Sequence, residues 1–256
     1  MLVFQWRTRG HGNRRTHSGS GFSSHLLLPT QSDEISMAAN IENNGSQNID
    51  GEQFFHLLGG FRNPLKTRSQ GNQTYSAGHK QALAKLRELP VSKQIGAVLK
   101  ATQDYQCVVL TSGTGSGKTI VVPVAIVLDS LPSRKVVACT QPRVLPAVSV
   151  AKHVAKQQDV EIGEQVGYRI RFEQRSDSDP LFTRYRCVIL DEVHERTINT
   201  DLLMARLKVA MSRRTDLKVV IMSATIDTSK FIQYFGGKDK AYHIHLKGNS
   251  FPIATY

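Results

Sequence analysis

The chain is short of cysteine, of acid, of aromatics and of long apolar runs. Cysteine occurs only three times in 256 residues, as Cys107, Cys139 and Cys187. The odd count, with no Cys-x-x-Cys pair and no His/Cys cluster at zinc spacing, argues against a disulfide framework and a structural zinc. Each cysteine sits in or beside a Val/Ile-rich run, which predicts buried thiols on strands in a reducing compartment. The longest apolar run, 120–128, is broken by Pro123 and falls far short of the ~20 residues a membrane helix needs. No membrane partner is expected. Acid is outnumbered, 21 Asp+Glu against 33 Lys+Arg. Residues 1–36 hold four Arg, Asp33 and Glu34, so the excess lies in the remainder, at 29 against 19. A basic body suits a polyanion such as nucleic acid, and equally a solvated charged surface. What is present is otherwise ordinary: 40% hydrophobic and 21% charged residues describe a chain that folds.

Three regions are expected. Residues 1–52, rich in Gly, Ser, Asn, Gln and His with no apolar period, read as a disordered low-complexity extension. Arg7, Arg9, Arg14 and Arg15 with many Ser and no acid before Asp33 have the composition of an organelle transit peptide, and Met37 is an alternative start. Residues 53–88 read as a helical lead-in, with Leu83, Leu86 and Leu89 at helical spacing. Residues 89–256 alternate short apolar strands with amphipathic helices. Strands are predicted at 107–111, 135–140, 186–191, 217–223 and 241–246. Helices are predicted after Pro90 and at 118–129, 147–157, 201–212 and 229–234. This pattern makes an α/β domain with a mostly parallel sheet covered on both faces, and ligands bind such sheets at the carboxyl ends of the strands.

The strongest local signal lies between the strand ending at Leu110 and the next helix: Thr111-Ser112-Gly113-Thr114-Gly115-Ser116-Gly117-Lys118-Thr119. A phosphate-binding loop needs glycines that let backbone N–H groups converge, a helix N-terminus behind them, a lysine for the β and γ phosphates and a hydroxyl for Mg²⁺. The strict pattern has Gly where Ser112 stands, which is tolerated if that φ is negative. Some 70 residues on, the strand Val188-Ile189-Leu190 delivers Asp191 and Glu192, followed by Val193 and His194. Strand alternation would turn Asp191 toward Mg²⁺ and Glu192 toward the attacking water as general base.

Together these segments resemble the DEAH-box RNA helicases of superfamily 2, particularly members acting in pre-mRNA splicing and ribosome biogenesis. The resemblance runs from about Leu89 to the C-terminus. Its further markers are Thr140-Gln141-Pro142-Arg143, Val166-Gly167-Tyr168 with Arg171-Phe172-Glu173, Glu195-Arg196-Thr197 after His194, and Met222-Ser223-Ala224-Thr225. It implies the first of two RecA-like lobes of a P-loop NTPase, with ATP and Mg²⁺ as ligands and RNA as partner. It implies ATP hydrolysis coupled to RNA remodelling, a second RecA-like lobe in cis or trans, an activating protein and a nuclear location, with the mitochondrion as alternative. By that resemblance Lys118, Glu192 and His194 serve catalysis, residues 113–119 hold the nucleotide, and Thr119 and Asp191 hold the metal. Ser223 and Thr225, with His194, couple nucleotide state to RNA grip, and Thr140 to Arg143 touch the RNA backbone.

The departures from the family pattern are equally specific. Val193 replaces its usual Ala, and Val144 stands where a second Arg would follow Arg143. His153 holds the position of an Arg that stacks on the base; a neutral imidazole can only stack, and the residue reads as well as plain helix surface. Between Glu173 and Tyr185 lie only eleven residues, 174–184, where relatives carry a strand ending in Thr-Asp-Gly and a helix. The sheet is therefore expected to lack one strand-helix unit. The chain stops where relatives continue into their second lobe, the source of the arginine fingers. A degenerate nucleotide- or RNA-binding module without turnover is the alternative. An unrelated P-loop ATPase would not carry Arg143, His194 and Ser-Ala-Thr together.

Overall fold

The computed structural model describes residues 2–6, 54–55, 58–59, 75–113, 115–130, 135–169, 179–224 and 227–248. From the N-terminus the elements are β1 (Leu2–Trp6), α1 (Ala77–Glu88), α2 (Ile95–Asp104), β2 (Cys107–Thr111) and α3 (Lys118–Asp129). There follow β3 (Val136–Gln141), α4 (Val144–Gln157), β4 (Val166–Arg169), β5 (Tyr185–Leu190) and α5 (Ile198–Arg213). Last come β6 (Lys218–Ser223), α6 (Thr228–Tyr234) and β7 (Ala241–His245), with single 3₁₀ turns at Ser92–Gln94 and Val193–Glu195.

Local chemistry starts these helices. Ser76 caps α1 by accepting from His79 N at 3.1 Å, and Thr197 caps α5 by accepting from Thr200 N at 3.2 Å. Helix α4 begins at Val144, earlier than the predicted 147, because Pro146 in its first turn has no N–H that the helix would use. Pro123 lies inside α3, where it withholds the N–H that would have bonded the Thr119 carbonyl.

Among the described residues the sheet has seven strands in the order β4-β1-β3-β5-β6-β2-β7. Strands β3, β5, β6, β2 and β7 run parallel. Alternation then splits the core. Val108 and Leu110 of β2, Ile189 of β5 and Val220 and Met222 of β6 face the layer of α1 to α4. Cys107 and Val109, Val188 and Leu190, and Val219 and Ile221 face α5 and α6. The sheet is thus covered on both faces, as expected of a RecA-like lobe, and all three cysteines are free and buried. Among the described residues no helix is long and apolar enough to cross a membrane.

The N-terminus departs from expectation. Residues 2–6, predicted as part of a disordered extension, form β1, which pairs antiparallel with β3 (Leu2 opposite Gln141) and with β4 (Val3 opposite Arg169). Both edges it covers would otherwise present unpaired backbone groups, which is the physical reason a short segment can be held there. Residues 7–53 and 170–178, the latter including positions 174–178 of the short connector, lie outside the described residues.

Candidate functional site

The carboxyl ends of β2, β3, β5 and β6 meet at one edge of the sheet, and the phosphate-loop sequence leaves β2 there. Ser112 N donates to Ser223 O at 3.2 Å, tying the loop to the end of β6, and the Ser112 and Ser116 hydroxyls are 2.8 Å apart. Ser112 is fully buried and is not among the positive-φ residues, so a side chain is accommodated where the strict pattern has glycine. Gly115 and Gly117 have φ of +77° and +86°, conformations a side chain would strain. Gly117 starts α3 as its left-handed N-cap, and Val91 N donates to Ser116 O at 3.2 Å, holding the loop against the lead-in helices. Lys118, first residue of α3, is buried. Thr114 lies outside the described residues.

Facing the loop is Asp191, just past β5 and almost wholly buried. Its Oδ2 accepts from Thr119 Oγ1 and from Gln141 Nε2, both at 2.6 Å, and its Oδ1 accepts from Glu192 N at 2.9 Å. Burial pushes its carboxyl above the ordinary range, opposed by the Thr119 bond, reinforced by the nearby Glu192 charge, and opposed again by Gln141 and the Glu192 N–H. The residues predicted 72 positions apart in sequence, Thr119 and Asp191, therefore touch.

The separation of the two carboxylates has a different cause from the one expected. The strand ends at Leu190, and Glu192 adopts a left-handed conformation, φ 52° and ψ 40°. This kink, rather than strand alternation, takes Glu192 out of the buried site. Its Oε2 lies 3.3 Å from His194 Nδ1, and both side chains are about a third exposed, at 31% and 33%. A left-handed non-glycine residue costs roughly 1–2 kcal/mol and persists only where its surroundings hold it.

The remaining predicted residues are distributed around this centre. Thr140 is buried at the end of β3, and its carbonyl accepts from Asp191 N at 3.2 Å. Arg143 is exposed and paired with Glu195, 3.1 Å from its Nη2 to Oε1. Ser223 is buried at the end of β6, with its carbonyl on Ser112. His153 is exposed on α4 and, among the described residues, has no hydrogen bond to the loop. Thr225 lies outside the described residues. Four participants escaped sequence reasoning. Gln141 was read with the RNA-facing stretch, yet its amide points back at Asp191. Glu195 was only a marker letter. His243 Nε2 and His245 Nδ1 lie 2.8 and 3.1 Å from Thr111 Oγ1, at the root of the loop. Their alternate spacing on β7 was the signal that could have placed them on one face.

The geometry fits a phosphate chain and a small hard cation. A Cβ added at Gly113 or Gly115 would meet nothing within 4 Å, so the outer side of the loop is open where backbone N–H groups could approach an anion. Thr119 Oγ1 and the Asp191 carboxylate offer adjoining oxygens. Among the described residues no group of three or more His, Cys, Asp or Glu side chains could hold a metal by itself. Mg²⁺ takes one or two protein oxygens and completes its shell with phosphate and water, and the adjoining Thr119 and Asp191 oxygens are a pair of that kind.

Comparison with known proteins points the same way. No protein-family model matches the chain. The chain is 36% identical over 193 residues to the ATP-dependent RNA helicase DHX33 of Mus musculus, an alignment covering 66% of this chain and 27% of that protein. The chain thus spans about a quarter of the length of the curated relative it matches.

Proposed function

We propose that this chain is the first RecA-like, ATP-binding lobe of a DEAH-type RNA helicase. The observation that carries the reading is the contact of Thr119 with Asp191 at 2.6 Å beside an outward-open glycine loop. Residues 113–119 would hold the phosphates, with Lys118 on the β and γ groups, and Thr119 and Asp191 would hold Mg²⁺. When bound, Mg²⁺ neutralises charge on the β and γ oxygens. Glu192, kinked out of the buried site, orients the attacking water and accepts its proton, and His194 beside it carries the state of that carboxylate to the RNA side. Arg143 and the Thr140 region contact RNA, while Ser223 links the loop to β6. Base selectivity should be slight, since His153 could offer only stacking. A second RecA-like lobe, an activating protein and a nuclear setting belong to the same proposal and rest on the family resemblance.

Binding and turnover separate experimentally. Lys118→Ala should abolish Mg²⁺-ATP and Mg²⁺-ADP binding in calorimetry; equal affinity for wild type and variant would refute the loop assignment. An arginine finger contributes about 10³- to 10⁵-fold to phosphoryl transfer, so the 256-residue chain should hydrolyse ATP near background. Joined to a matching second lobe it should show RNA-stimulated turnover that Glu192→Gln removes. A binding module without turnover is the second reading, favoured by the eleven-residue connector 174–184 and by Val144 where a second Arg would follow Arg143. It would prevail if the two-lobe protein were as inactive as its Glu192→Gln variant.

A further inference from the structure

Helix α5 is apolar on two opposite sides. Leu203, Met204, Leu207, Ala210 and Met211 are buried against the sheet. Ile198, Leu202 and Val209 are 86%, 60% and 53% exposed, and Ala205 between them is exposed as well. Single exposed apolar residues are normal. These four, however, follow a 4-3-4 spacing, and at about 100° per residue they fall in an arc of about 60° opposite Leu207. That spacing is the seam of a two-helix packing, in which every side chain enters a gap on a facing helix.

The flanks of the seam are basic. Arg206 and Arg213 lie on one side and Lys208 on the other. Arg206 is held with its guanidinium 5.8 Å from the Phe182 ring centroid, and Lys208 with its ammonium 4.1 Å from that of Tyr234. The one acid there, Asp201, is engaged by Arg196 at 3.1 and 3.0 Å. Along the Lys208 side runs a groove of about 240 Å³ between α5 and α6, lined by Met204, Phe231 and Tyr234 with Arg196, Asp201 and Lys230 at its rim.

We propose that the outer face of α5, with this groove, docks an amphipathic helix of a partner protein whose flanking positions are acidic. The aliphatic seam selects a helix, and Arg206, Lys208 and Arg213 select its charge, as flanking charges do in paired helices. The proposal is independent of the nucleotide site, whose residues lie at the carboxyl edge of the sheet.

The test uses the full chain and a fluorescein-labelled, end-capped synthetic peptide of three heptads, with Leu at both core positions and Glu at both flanking positions. Mutual Glu repulsion keeps such a peptide from pairing with itself. Fluorescence anisotropy should show saturable binding. Leu202→Glu and Val209→Glu, both at exposed positions, should each weaken it at least tenfold with unchanged circular dichroism, and a Lys-flanked peptide should bind at least tenfold more weakly. Absence of saturable binding, equal binding of the two peptides, or affinity indifferent to both substitutions would overturn the proposal. So would displacement of the peptide by oligouridylate, which would make the face a nucleic-acid surface. A concentration-dependent dimer in sedimentation, lost in Leu202→Glu, would assign the seam to a second copy and equally overturn it.

Discussion

Leu89 packs over Gly117 so closely that a methyl group on that glycine would lie 2.6 Å from Leu89 Cδ1 and 3.2 Å from its Cβ and Cγ. The glycine serves two needs, a left-handed φ and the approach of the lead-in helices to the phosphate loop. Gly117→Ala should therefore cost about 1–3 kcal/mol and weaken nucleotide binding at least tenfold. Adding Leu89→Ala relieves the contact but not the φ, so the double variant should regain only part of the loss. Full recovery in denaturant unfolding and calorimetry would show that the backbone conformation is unimportant.

Gln141 gives a sharper probe of the metal-binding half. Its amide donates to the same Asp191 oxygen as Thr119 does, so Gln141→Leu removes one of the three donors that orient the carboxylate. Mg²⁺-dependent nucleotide affinity should fall about 10- to 100-fold, the usual cost of losing an orienting neighbour. Affinity measured with EDTA should change little. Equal losses with and without Mg²⁺ would mean that Gln141 supports the loop rather than the carboxylate.

Arg214 organises the approach to β5. Its guanidinium donates to the carbonyls of Leu181, Phe182 and Tyr185 and to both oxygens of Asp216. Arg214→Met should cost about 2–4 kcal/mol, because several acceptors lose a charged donor together. Asp216 is nearly half exposed, and solvent screening limits Asp216→Asn to about 1 kcal/mol or less. Arg214 and Lys135 hold the Asp216 carboxyl well below the ordinary carboxylate range. Its contribution is thus complete above the unfolded value of about 3.9 and disappears as pH falls through the lower folded value. Wild type and Asp216→Asn should converge in stability only in strong acid; convergence at mildly acidic pH would contradict the ion pairs.

The Arg143–Glu195 pair makes a prediction about RNA. A phosphate that reaches Arg143 must displace Glu195, and an exposed pair of this kind is worth about 0–1 kcal/mol. Glu195→Gln should raise RNA affinity by about two- to fivefold and steepen its salt dependence, since Arg143 is then free to release a counterion. Filter binding across a salt series checks it. Unchanged affinity in Glu195→Gln and Arg143→Ala alike would remove Arg143 from the RNA surface.

The parts of the molecule legible in its sequence are those with a period or a fixed spacing. β2 and α3 have the predicted bounds, and β3, β5 and β6 are within a residue at each end, because apolar runs bounded by turn residues leave few choices. The loop and Asp191 were legible because phosphate chemistry demands certain residue types in a certain order. Glu192 was misread in its geometry, since nothing in Asp-Glu-Val-His announces a left-handed residue. The bond from Gln141 to Asp191 was not legible, because a polar residue ending a strand carries no mark of which neighbour it turns to. β4 contains Gly167 and spans four residues, too few for alternation to register. β1 was invisible because its pairing partners lie far along the chain, and no local pattern encodes them.

That last feature sets a timetable for synthesis. Leu2 must wait for Gln141, and Val3 for Arg169, so β1, made before either of its partners, can be the last of the three to find its place. Closing loops of well over 100 residues is entropically slow compared with pairing β3 to β5 through the intervening chain. The parallel core can therefore assemble while the outer edge of β3 is still uncapped and open to pairing with another chain. A newly made molecule passes through an interval in which its sheet is adhesive, and that interval ends when the N-terminal strand arrives.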